Sequence, residues 1–103
     1  MSPTQRSLKH LRDAGYTVAI VEHWNSFTRK RYDLWGFADL LAIRPGEVLA
    51  VQTTSGSNVS ARVRKIGDSE LVGAVRDAGI RIHVHGWKKG ANGRYSLREV
   101  DLS

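Results

Sequence analysis

Hydrophobic positions along the chain fall into short blocks with two different spacings. Ser2-Pro3-Thr4-Gln5 opens the first block with helix-start chemistry. Ser2 can cap, Pro3 suits the first helical position, and Gln5 completes a capping box. Leu8, Leu11 and Ala14 follow at helical spacing, and Gly15 is a stop. Arg6, Lys9 and Arg12 take much of the remaining surface, so the helix is amphipathic and basic. Tyr16 to His23 is rich in β-branched and aromatic residues and predicts a strand. It is apolar on both faces until Glu22, the pattern of a strand central in its sheet. Trp24 to Trp35 has no clear period and reads as a loop. Phe37 to Ile43 and Val48 to Val51 are apolar runs on either side of Pro45-Gly46, which predicts a hairpin. Asn58 to Ile66 reads as a helix with Val59, Val63 and Ile66 toward the core. Gly67-Asp68 breaks it, and Ser69 to Ala78 is a second helical piece, stopped by Gly79. Ile80 to His85 is a strand, Lys88 to Gly93 a basic hairpin tip with an Asn-Gly turn, and Arg94 to Val100 the last strand.

The predicted order is helix, strand, strand, strand, helix, strand, strand. It implies an α/β or α+β fold: one domain over residues 1–103, with a mixed sheet flanked by helices. No repeat, low-complexity segment or linker interrupts it.

Composition narrows the function classes. A chain of 103 residues with 41% hydrophobic residues can bury one core. The absence of cysteine excludes disulfides and thiolate zinc sites and suits a cytoplasmic protein. No apolar run approaches the roughly 20 residues of a membrane span, and MSPTQRSLKH lacks the apolar core of a signal peptide. Lys and Arg outnumber Asp and Glu by 16 to 10, a formal charge of +6. A basic surplus on a small domain favours a polyanion, usually nucleic acid, over a surface that is merely basic.

The candidate chemistry starts at the hairpin. If its strands are symmetric about Pro45-Gly46, Arg44 faces Glu47, Ile43 faces Val48, and Asp39 lands opposite Gln52. Directly opposed residues have Cβ atoms roughly 4.5–5.5 Å apart, close enough to share a metal ion. Thr54 lies on the same face as Gln52. An acid within an apolar hairpin is costly unless it is paired or bound to metal, so Asp39 is a functional candidate. Glu22, at the end of the first strand, is either a metal-site acid or the first solvated residue. Asp33 is either a second site acid or, more in keeping with its neighbours, the partner of an adjacent arginine.

Arg29-Lys30-Arg31 is interleaved with Trp24, Phe27, Tyr32 and Trp35. That mixture suits a phosphate backbone and unstacked bases, although buried aromatics pinning a loop would look the same. Asn58, Arg62 and Lys65 share one face of their helix. Lys88 and Lys89 are a second basic cluster. His83 and His85 share a strand face and are either metal ligands or ordinary polar positions.

With these residues in view, the chain resembles the PD-(D/E)XK nuclease superfamily, the restriction-endonuclease-like fold, and most of all its small Holliday-junction resolvase-like members. The order of elements is similar over nearly the whole chain. Ala38-Asp39 stands for the Pro-Asp of the motif, and Gln52-Thr53-Thr54 for its acid-x-lysine. GRYSLREVDL resembles the closing strand of such domains. Gln52 replaces the second carboxylate, Thr54 replaces the lysine, and Gln5 lies about where the first helix often carries an acid. Lys65 or Arg62 would be a cation moved onto the following helix.

The resemblance implies DNA as partner, Mg²⁺ or Mn²⁺ as cofactor, and a homodimer. Its metal ligands would be Asp39 and Gln52, with Glu22 as a further candidate. Asp39, Gln52, Thr54, Lys65 and Arg62 would be catalytic. Arg29, Lys30, Arg31, Asn58, Lys88 and Lys89 would contact DNA. The expected activity is metal-dependent DNA endonuclease, with a DNA-binding module that no longer cuts as the alternative.

Overall fold

The computed structural model of the chain describes residues 1–103. Helix α1 (Pro3–Asp13) begins as its sequence requires, with Ser2 Oγ accepting from the Gln5 N–H at 3.2 Å. Seven strands follow or flank two further helices: β1 (Thr17–Ile20), β2 (His23–Asn25), β3 (Lys30–Tyr32), β4 (Leu40–Arg44), β5 (Glu47–Ser55), then α2 (Val59–Gly67) and α3 (Val72–Asp77), then β6 (Arg81–Lys89) and β7 (Tyr95–Asp101). The main sheet has the order β1-β4-β5-β6-β7. Only β5 and β6 run parallel, which is what a helical crossover between them demands. The result is an α+β domain with a mixed sheet between α1 on one face and α2 with α3 on the other.

Alternation along the strands divides the core in two. Leu40, Ala42, Leu49 and Val51 meet Leu8 and Leu11 of α1. Ala50, Ile82 and Val84 point the other way, with Phe37 and Ala38, and meet Val59, Ile66, Val72 and Val75. Burying each large aliphatic side chain contributes about 1.5–3 kcal/mol. Gly86 lets α2 approach the sheet: a Cβ there would run into Val59 Cγ2 and lie 3.3 Å from Gly56 Cα.

Four expectations change. β1 is an edge strand, not a central one. Its Tyr16–Val18 side rests on α1, but Ile20 is exposed and β4 is its only neighbour. Residues 24–35 are not all loop: β2 and β3 pair as a small separate sheet, with Trp24 opposite Arg31. Trp24 and Phe27 are exposed, so they do not pin this segment. The second helical piece is confined to α3. Finally, Lys88 and Lys89 are the last residues of β6, and the turn itself spans Gly90 to Arg94, with the Gly90 N–H donating to the Arg94 carbonyl at 2.7 Å. No helix is long and apolar enough to cross a membrane.

Candidate metal and phosphate site

The hairpin register is the one the turn predicts. Arg44 pairs with Glu47, Ile43 with Val48, and Leu40 with Val51. Asp39 therefore stands one step beyond the last pair, beside Gln52. Its backbone N–H donates to the Val51 carbonyl at 2.9 Å. The carboxylate is buried, and Oδ2 accepts three bonds: from Gln52 Nε2 at 2.8 Å, the Thr53 N–H at 2.8 Å and Thr53 Oγ1 at 3.1 Å. Thr53 lies past the end of β4, so the Asp39 side chain takes an N–H that the strand no longer reaches.

Two more acids converge on Asp39. Glu22 follows β1, and Asp33 follows β3. One carboxylate oxygen from each of Glu22, Asp33 and Asp39 lies within 4.8 Å of the other two. The turn from Asp33 to Phe37 makes this possible. Trp35 and Gly36 both adopt left-handed backbone, with φ of 57° and 80°. Glycine does so freely, whereas a tryptophan there costs of order 1–3 kcal/mol. Packing of Trp35 on the core and 6.4 Å from the Phe37 ring offsets that cost.

The cluster lies in an open pocket of about 530 Å³ with no hydrophobic side chain in its lining. Arg31, Arg62 and Lys65 border it. Lys65 Nζ is 3.4 Å from Asp33 Oδ2, and Arg31 Nη1 is 3.6 Å from Glu22 Oε1. Thr4 of α1 closes the near side, 2.8 Å from Thr53 Oγ1 and donating to Glu22 Oε1 at 3.3 Å.

The electrostatics do not balance. Burial, above all, raises the Asp39 carboxyl above its ordinary range; the Thr53 N–H opposes this and the Glu22 carboxylate adds to it. Burial and then the charge of Asp39 raise Asp33, against the pull of Lys65. Gln52 is 2% exposed, and its Oε1 is buried without a hydrogen-bond partner. Its amide is oriented by Asp39, since only Nε2 can donate to that carboxylate. The three carboxylates form an oxygen-rich donor set that fits a hard divalent cation.

Of the residues singled out in the sequence, the structure brings Asp39, Gln52, Thr54, Glu22, Lys65 and Arg62 to one pocket. Thr54 lines it with no side-chain partner among the hydrogen bonds. Asp33 joins them and pairs with Lys65, not with a neighbouring arginine. Glu22 is half-buried among acids rather than the first solvated residue. On α1 it is Thr4, not Gln5, that reaches the pocket. Asn58 stands apart, its Nδ2 donating to Ser55 Oγ at 3.1 Å. Arg29 has left-handed backbone between β2 and β3, and with Lys30 it is exposed. Lys88 and Lys89 line a second cavity of about 570 Å³ with Trp87, Tyr95 and Arg98. Ser55 borders both cavities.

No protein-family model, curated protein or solved structure matches the chain.

Proposed function

We propose that the chain is a metal-dependent nuclease that hydrolyses phosphodiester bonds in DNA, with the carboxylate pocket as its active site. The observation that carries this reading is the meeting of Glu22, Asp33 and Asp39 in a solvent-open pocket bordered by cations and lined by Gln52. Asp39, Asp33, Glu22 and Gln52 would hold the ion, Mg²⁺ or Mn²⁺. When bound, the ion supplies an activated water and neutralises charge on the phosphate. Glu22 and Asp33 replace the carboxylate that Gln52 does not provide.

The other roles fall to the chain's own residues. Thr53 and Gln52 fix the Asp39 carboxylate through three donated bonds. Lys65 and Arg62 stabilise negative charge that develops on the phosphoryl oxygens. Water adds to phosphorus as its proton passes to a carboxylate of the cluster, the bond to the leaving oxygen breaks, and that oxygen takes a proton from solvent in the open pocket. The products are a phosphate monoester and an alcohol. Lys88, Lys89 and Arg98, with the rings of Trp87 and Tyr95, extend a basic track from the pocket past Ser55 and suit the flanking strand.

A binding module that does not cut is the second reading. It is favoured by the saturation of Asp39 Oδ2 with three donors and by the capture of Lys65 by Asp33. Incubation of the protein with linear and branched DNA in Mg²⁺ or Mn²⁺ separates the two. Cleavage that Asp39→Asn abolishes, with DNA affinity in chelator preserved, supports the nuclease. Tight, salt-sensitive binding with no cleavage of any DNA supports the module.

A further inference from the structure

A second cluster lies under α1, on residues that the carboxylate pocket does not use. In β6, Arg81, His83 and His85 alternate with the buried Ile82 and Val84. β7 runs antiparallel beside them, which sets Asp101 opposite His83 and Glu99 opposite His85. One ligand atom from each of His83, His85 and Glu99 lies within 4.8 Å of the other two. Both histidines are buried, at 6% and 0% exposed, whereas the Glu99 side chain is 44% exposed.

His83 Nδ1 distinguishes the cluster from an ordinary polar strand face. It is a buried nitrogen with no hydrogen-bond partner, 3.7 Å from Glu99 Oε2. Proteins seldom leave such an atom unmatched. The second nitrogen of each ring has an oxygen neighbour that can take its proton when an ion is bound. His85 Nδ1 is 3.0 Å from Ser7 Oγ, which also accepts from Trp87 Nε1 at 2.8 Å. A serine oxygen has two lone pairs and can take both N–H groups. His85 Nε2 donates to Glu99 Oε2 at 3.1 Å, and on ligation this proton would give way to the ion while Nδ1 donates to Ser7 Oγ. His83 Nε2 lies 3.7 Å from Asp101 Oδ2, a carboxylate positioned to hold its proton. Arg81 Nη2, a donor only, lies 3.4 Å from the same nitrogen and 3.6 Å from Asp101 Oδ2, so when His83 Nε2 carries the ring's proton Arg81 would turn to Asp101 alone. Ligating imidazoles are commonly held this way through their other nitrogen.

We propose that His83 Nδ1, His85 Nε2 and Glu99 Oε2 bind a divalent transition-metal ion, with Zn²⁺ the best match. Two imidazoles and one carboxylate favour such an ion over Mg²⁺. A fourth position faces a cavity of about 270 Å³ bordered by His10 and Tyr16, where a water can complete the coordination. The ion would tie β6 to β7 beneath α1, with Ser7 in its outer shell.

The test is a titration of the full chain with Co²⁺, followed by visible absorption, and with Zn²⁺, followed by calorimetry and thermal unfolding. Glu99→Gln is the primary variant, because Glu99 is exposed and its loss leaves the core intact. His83→Asn is the second, and Asp39→Asn is the control for the carboxylate pocket. The expected result is one Co²⁺ per chain that gives tetrahedral absorption bands, distinct from any Co²⁺ in the all-oxygen carboxylate pocket, and is displaced by Zn²⁺, and a rise in unfolding temperature with Zn²⁺. Glu99→Gln should weaken binding at least about tenfold, while Asp39→Asn leaves it unchanged. Absence of the bands, or binding that Glu99→Gln leaves intact, overturns the proposal. So does binding that only Asp39→Asn removes, which would place the ion in the other pocket.

Discussion

Replacing Asp39 by Asn separates a metal-holding acid from a structural one, and the two roles move stability in opposite directions. The carboxylate lies within 4.8 Å of two others. At that distance and an effective dielectric of about 20, a pair of unit charges repels by about 3 kcal/mol. The open pocket and the neighbouring Lys65 and Arg31 reduce this. Asparagine keeps an oxygen for Gln52 and Thr53 but turns three charge-assisted bonds into neutral ones, a loss of about 1 kcal/mol each. Relief of two repulsions outweighs that loss, so in chelator Asp39→Asn should be more stable by about 1–2 kcal/mol, several degrees in a domain of this size. Added Mn²⁺ should reverse the order, since an ion at 100 times its Kd stabilises the wild type by about 2.7 kcal/mol and has no equivalent site in the variant. Thermal unfolding of both proteins, with chelator and with Mn²⁺, is the assay. A variant less stable than wild type in chelator, with no response of either protein to Mn²⁺, would refute the reasoning and make Asp39 a structural acceptor.

Other expectations follow from single contacts. Gln52→Glu should tighten Mn²⁺ binding in calorimetry by adding a carboxylate beside Asp39; equal or weaker binding would make Gln52 a structural donor. Neutralising Lys88, Lys89 and Arg98 should lower DNA affinity evenly across sequences and flatten its salt dependence by about one unit of slope per lost contact. Gly86→Ala should destabilise by about 1–3 kcal/mol through overpacking against Val59, read by denaturant unfolding. Glu47 accepts from Tyr16 Oη, Arg44 Nε and Arg81 Nη1, each at 2.6 Å, and the Tyr16 and Arg44 bonds hold its carboxyl at about 2. Its stabilising contribution is therefore present above the unfolded value of about 4.3 and is lost as pH falls toward 2. Glu47→Gln should flatten that acid limb of the stability curve.

The hairpin was legible because its register follows from one turn. No bulge interrupts the count from Pro45-Gly46 to Asp39 and Gln52, so a single local assumption positions both residues. Lys65 and Arg62 were legible for a similar reason, since helical spacing fixes their face. What the sequence did not disclose is long-range. Asp33 reaches the site through a turn whose left-handed Trp35 has no sequence signature, although the adjacent Gly36 hints at it. Thr4 is brought in by the way α1 packs on β5, and Thr53 by its backbone N–H, which no side-chain pattern records. β1 looked central because it is apolar on both faces. That pattern does not distinguish a strand covered on both faces from an edge strand that leaves Ile20 exposed. The third partner for His83 and His85 lies on β7, and only the pairing of β6 with β7 reveals Glu99.

The central claim, that Glu22, Asp33, Asp39 and Gln52 together hold a divalent ion, is tested most directly by an NMR titration with Mg²⁺. The signals to follow are the Gln52 side-chain amide and the Thr53 backbone N–H, both bonded to Asp39. These two should shift together along one saturable curve in the wild type and stay fixed in Asp39→Asn. Wild-type signals that do not move at any Mg²⁺ concentration leaving the rest of the spectrum intact would contradict the claim.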